Sequence, residues 1–106
     1  MKESAYQGAW CAAHGGEAEV VLPDRTRVDC VTGDYAVEVD FASKWAEAIG
    51  QALYYAMRTG RKPGILLIME SGRDARFLER LMAVADSLGI EVWTITPEDM
   101  SGTERN

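Results

Sequence analysis

Histidine occurs once and cysteine twice in this sequence, and that scarcity removes several chemistries at the outset. Cys11 and Cys30 form no CxxC pair and have no Cys or His neighbours at zinc-ligand spacing, so neither a zinc module nor a disulfide scaffold is indicated. Both are expected as reduced, semi-buried thiols. His14 precedes Gly15 and Gly16 at the end of an expected helix. A capping role suits it there better than that of a general base, since no partner stands at motif spacing. Ser43 and Ser71 have no nucleophile context, and neither a GxGxxG nor a P-loop run occurs. The N-terminus carries no basic segment followed by an apolar run, so no signal peptide is expected. The longest strongly apolar stretch, Ile65 to Met69, is far too short to cross a bilayer. These absences together lead to the expectation of a cytoplasmic protein with no membrane partner. Basic residues are also in deficit, 11 Lys and Arg against 17 Asp and Glu, for a net charge of −6. That argues against a broad basic surface for nucleic acid. It leaves room for a small site in which metal ions offset the repulsion between carboxylates and phosphate.

The chain has 106 residues, 47% of them hydrophobic, which suits one domain with its own core. No repeat, low-complexity segment or Pro/Gly-rich linker divides it, so residues 1–96 are expected as a single unit, with a flexible polar tail over 97–106. Tyr6, Ala9, Trp10 and Ala13 recur at helical spacing within a first helix over Glu3 to His14. Three strands follow: Glu19 to Leu22 (or from Glu17), Arg27 to Thr32, and Tyr35 to Asp40. Their connections are short, which predicts an antiparallel meander. A second helix runs from Ala42 or Ser43 to Arg58, with Trp45, Ala48, Ile49, Ala52, Leu53 and Ala56 as its apolar face. Ile65 to Met69 reads as a strand buried on both faces. A third helix over Arg73 to Leu88 and a last strand over Ile90 to Ile95 complete the order α-β-β-β-α-β-α-β. The class is therefore α/β, a mixed sheet flanked by helices. Trp10, Trp45 and Trp93 fall on apolar faces and are expected in the core.

The chemically informative stretch runs from Asp29 to Tyr55. Glu38 and Asp40 are two apart in one strand, so both leave the same face of the sheet. If the second and third strands pair, Asp29 converges on Glu38. Two carboxylates and a backbone carbonyl suit an oxygen-liganded Mg²⁺. Such a site could activate water against a phosphodiester. Spacing alone fits equally well a hairpin whose outer face is merely solvated by three carboxylates. Along the next helix, Lys44, Gln51, Tyr55 and Arg58 share a face opposite the apolar one. Because that helix leaves directly from the Glu38/Asp40 strand, Lys44 can reach back toward the carboxylates.

Asp29, then Glu38-Val39-Asp40, then a helix carrying Lys44 and Gln51-Ala-Leu-Tyr-Tyr55, together resemble the PD-(D/E)XK nuclease superfamily, and the QxxxY element resembles its RecB-like branch. The resemblance covers residues 3 to about 70. It implies a restriction-endonuclease-like αβββαβ core with an added C-terminal αβ unit, and a metal-dependent nuclease using Mg²⁺ or Mn²⁺ on nucleic acid, DNA before RNA. On that resemblance Asp29 and Glu38 are metal ligands and the Val39 carbonyl is a third. Gln51 and Tyr55 position the site and the DNA, and Glu3 matches an additional helical glutamate, with Glu17 and Glu19 as weaker rivals. One position departs from the pattern. Asp40 stands where the motif lysine belongs, and Lys44 would have to supply the ammonium. Asp40 is then a candidate further ligand. The same departure fits a noncatalytic nuclease-like module docking in a larger phage or bacterial DNA-processing assembly, and a homodimer is a third expectation.

Overall fold

A computed structural model describes residues 1–104, with side chains through Met100. The elements are α1 (Glu3–Ala13), β1 (Glu17–Val21), β2 (Arg27–Val31), β3 (Tyr35–Phe41), α2 (Trp45–Thr59), β4 (Lys62–Ile68), α3 (Ala75–Leu88), β5 (Glu91–Ile95) and α4 (Pro97–Glu104). Short 3₁₀ turns, Ala42–Lys44 and Gly72–Asp74, lead into α2 and α3. The five strands form one mixed sheet in the order β1-β2-β3-β4-β5. β1, β2 and β3 are antiparallel neighbours, while β3, β4 and β5 run parallel. Short turns suffice for the first three strands; the parallel ones require the helical crossovers α2 and α3.

The sheet is covered on both faces. Ala48 and Ala52 of α2 and Leu81 and Ala85 of α3 pack with Ile65 and Leu67. On the other face Tyr6, Trp10 and Cys11 of α1 and Met100 of α4 pack with Val37, Val39, Leu66, Ile68 and Ile95. β4 therefore sends alternate side chains into two cores, and Ile65 to Ile68 are all fully buried. That explains its unbroken apolar sequence. α2 and α3 end at Gly60 and Gly89, both left-handed (φ 70° and 68°), the conformation that lets the chain turn back into a strand. The radius of gyration is 13.2 Å, about what one domain of this length gives.

Two expectations are overturned. Cys11 and Cys30 are not free thiols but a disulfide, with Cα atoms 5.8 Å apart. The fold lays α1 over the face of β2 that carries Cys30, so residues distant in sequence become neighbours in one core cluster. Gly16 lies against this bond: a Cβ there would stand 2.5 Å from the Cys30 sulfur. The segment after Thr96 is not a frayed tail but α4. Thr96 caps it, its hydroxyl accepting the Asp99 N–H at 3.3 Å while the Asp99 carboxylate accepts the Thr96 N–H at 2.8 Å. Pro97 takes the first helical position, where its missing N–H costs nothing, and Met100 is buried among Trp10, Ile95 and their neighbours. Residues 105–106 of the expected tail lie outside the described residues.

Candidate metal centre at a parting of the sheet

The candidate site forms where β2 leaves β3. Their pairing is Cys30 with Val37 and Val31 with Ala36. One step further along, Asp29 lies across from Glu38, but the ladder does not continue. The Val39 N–H is instead taken by the Asp29 side chain, Oδ2 at 2.8 Å. The Asp29 carbonyl accepts a hydrogen bond from Gln7 Nε2 of α1 at 3.0 Å. A side chain on each side thus replaces the missing backbone bonds, as buried polar backbone groups require. The N–H and C=O of one strand residue face the same neighbour, so the Val39 carbonyl is directed toward the same opening.

β1 bends at the same level. Glu19 has a left-handed backbone, φ 59°, which costs a non-glycine residue on the order of 1–3 kcal/mol. Beyond the bend the side chains change faces: Cys30 enters the α1 core, whereas Val28, two residues away, packs with Ala36 and Tyr55. Gln7 Nε2 also donates to Glu19 Oε1 at 3.1 Å, and Glu19 Oε2 accepts from Arg27 at 2.8 Å.

Four carboxyl groups gather around this opening, in two hydrogen-bonded pairs. Glu38 is 6% exposed and Asp40 8%. Glu38 donates to Asp29; burial first, then the charges of Asp29, Asp40 and Glu3, push its carboxyl up to about 10. Asp29 is also raised by burial, although the bonds from Val39 and Glu38 pull against that. In the second pair Asp40 donates to Glu3. Asp40 is raised to about 7, by burial and then by the charges of Glu3 and Asp29, and Glu3 is raised by burial and by Asp29. Glu3 opens α1 and meets Asp40 at this opening. At neutral pH the cluster thus holds protons that water-exposed carboxyls would have lost.

The expected residues are placed unevenly. Asp29, Glu38, Asp40 and Glu3 come together. Lys44, exposed in the turn before α2, lowers both Glu3 and Asp40 by its charge, so it stands beside the second pair. Tyr55 is buried against Val28 and Ala36, and its hydroxyl is raised by burial and by Glu38 and Asp29. Gln51 is exposed on α2, and its solvent-facing position does not join it to the carboxylates. The supposed polar stripe is therefore split: Tyr55 turns inward, Gln51 outward. Of the rivals to Glu3, Glu17 is an exposed β1 residue, and Glu19 is engaged by Gln7 and Arg27. His14 donates Nδ1–H to the Trp10 carbonyl at 2.8 Å and stacks on Trp10, a helix-end role as expected. Gln7 was missed. Its signal was a polar side chain one turn after Glu3, on the helix that also carries buried Tyr6 and Trp10.

Among the described residues no three His, Cys, Asp or Glu side chains are arranged to hold a metal ion. The carboxyls stand as two pairs, and Asp40 and Glu3 bond to each other rather than completing a set with Asp29 and Glu38. Two all-oxygen side-chain donors and the Val39 carbonyl match a hard divalent cation in type. Two concave surfaces lie elsewhere, one lined by Trp10, His14, Thr94 and Ile95 and another by Met69, Glu70, Ser71 and Thr96.

The chain matches no known family model, no curated protein and no solved structure.

Proposed function

We propose that this domain is a metal-dependent nuclease with a restriction-endonuclease-like core of the PD-(D/E)XK type, hydrolysing phosphodiesters of DNA. The observation that carries the reading is the meeting of half-buried Asp29 and buried Glu38 where β2 parts from β3. Structural ion clusters are normally mixed in sign; a buried group of acids held together by shared protons is costly unless a cation replaces the protons. Asp29, Glu38 and the Val39 carbonyl are the groups that would hold Mg²⁺ or Mn²⁺. A bound cation would supply an activated water and neutralise the phosphate's charge. Lys44, on the solvent side of the cluster, would stabilise the charge that develops on phosphate. Tyr55, whose hydroxyl is raised by Glu38 and Asp29, stands close to the pair. The lysine role passes to Lys44 because Asp40 occupies the motif position. On this reading the protein works in the cytoplasm.

The test is cleavage of single-stranded, duplex and branched DNA with Mg²⁺ and with Mn²⁺, comparing the native chain with Asp29→Asn and Glu38→Gln. Cleavage that needs metal and is lost in both folded variants is the expected result. A native chain inert on every substrate with both metals would sink the catalytic reading.

Asp40 motivates a second reading, a noncatalytic nuclease-like module that docks in a DNA-processing assembly or pairs with a second copy. Exposed Tyr54, Met57 and Val21 offer contact surface for it. Its mark is partner binding that survives Lys44→Ala.

A further inference from the structure

We infer that Gln7 is a positioning residue, holding the Asp29 segment in the parted geometry that the proposed site requires; the inference rests on the nuclease reading. Gln7 is one of three buried polar or charged residues in the chain's described part, the others being Glu38 and Asp40. Its amide spans two elements. Nε2 donates both to the Asp29 carbonyl of β2 at 3.0 Å and to the Glu19 carboxylate of β1 at 3.1 Å. Those are the two residues at which the hairpin bends, one of them with a left-handed backbone.

Without that amide, the Asp29 carbonyl would be a partly buried acceptor lacking a donor. That carbonyl faces β1, where the pairing skips only Glu19 and Asp29, so the hairpin's remedy would be to straighten and pair those two residues through their backbones. Straightening would turn the Asp29 side chain and displace its carboxylate from the Val39 N–H. Gln7 therefore holds the bend on the β1 side while the Asp29 carboxylate bridges the gap to β3. Helix α1 is itself anchored one turn further on, through the Cys11–Cys30 bond next to Asp29 in sequence. Gln7 thus projects from a fixed element, which is what makes a positioning contact effective. Partners that orient a metal-ligating carboxylate typically matter by about 10–100-fold in metal affinity.

The test uses Gln7→Met, which keeps the side chain's length and removes the donor, and Gln7→Asn, which shortens the reach and keeps the amide. Amide exchange at Val39 and calorimetric binding of Mn²⁺ alone are measured in each. The expected result is faster exchange at Val39, with exchange at Val37 unchanged, and Mn²⁺ affinity lower by about 10–100-fold. Should Gln7→Met not fold, Gln7→Asn must give the same two changes. Unchanged Val39 exchange in the folded variants overturns the inference, and so does faster exchange with native Mn²⁺ affinity. A native chain that binds no Mn²⁺ overturns the nuclease reading instead, and Val39 exchange still decides whether Gln7 holds the strand.

Discussion

The Asp29 carboxylate accepts the Val39 N–H at 2.8 Å, so one residue closes a gap in the sheet and stands in a cluster of acids at the same time. Glu38 then has to keep its proton beside a charged neighbour in a buried place. That arrangement favours function over metal-free stability. Glu38→Gln should raise the melting temperature of the metal-free protein at neutral pH, because a neutral amide needs no captured proton, while cleavage of DNA is abolished. Calorimetric melting with parallel nuclease assays decides it. A variant less stable than the native chain would show that the acid is held for packing rather than for charge.

The same proton capture sets a pH dependence. Glu38 and Asp40 have folded pKa values near 10 and 7, above those of an unfolded chain at roughly 4. Between the unfolded and folded values the native state binds more protons than the unfolded one, so stability falls as pH rises. The contribution is complete below about pH 4. It declines through neutrality as Asp40 ionises, and further toward pH 10 as Glu38 does. Melting temperatures of the metal-free protein should drop by several degrees between pH 5 and 8, and Mn²⁺ should restore the loss, most strongly at pH 8. Melting that is flat across this range, or rises, would contradict buried protonated acids.

Lys44 is the cation whose charge lowers both Glu3 and Asp40. Its removal should leave the fold intact, since it is exposed on a turn. It should push Asp40 further up and lower kcat by about 10²–10³-fold, as loss of one charge-stabilising donor does. KM for DNA should change little. A kcat within twofold of the native value would assign the ammonium's role elsewhere.

Much of the fold was legible because period and punctuation agreed. Ile65 to Ile68 announced a doubly covered strand, and Gly60 and Gly89 marked the helix ends. Glu38 and Asp40 were legible together because strand alternation fixes their common side, and the short turn to β2 brought Asp29 across from Glu38, though the bend that sets its side left no mark in the sequence. What escaped was set by contacts across the fold. Gln7 meets Asp29 through tertiary packing, and Cys11 meets Cys30 because α1 lies over β2; neither spacing carries a local signature. α4 is a different case. Thr96-Pro97-Glu98-Asp99 is a helix start written in full, but a short polar segment at the chain's end reads as a tail until Met100 is seen to be buried. Tyr55 and Gln51 share a helix stripe in sequence, and only the position of Val28 after the bend shows that Tyr55 is covered.

The disulfide gives a prediction that also bears on where the protein works. Cys11 and Cys30 are separated by 19 residues, and closing a loop of about that size stabilises a fold by roughly 3 kcal/mol through the unfolded chain's entropy. In a domain of this length each kcal/mol moves the melting temperature by about 4–8 °C, so reduction should lower it by about 12–24 °C. Both sulfurs are buried, at 1% and 0% exposure, so a thiol reductant should act slowly on the native protein and quickly once it is unfolded. The cytosol keeps accessible thiols reduced, and burial is what would let this bond persist there. Alkylation of the denatured, unreduced protein followed by mass measurement should add no label, and prior reduction should admit two. Label on both cysteines without reduction would restore the free thiols that the sequence led one to expect, and the melting temperature should then be indifferent to reductant.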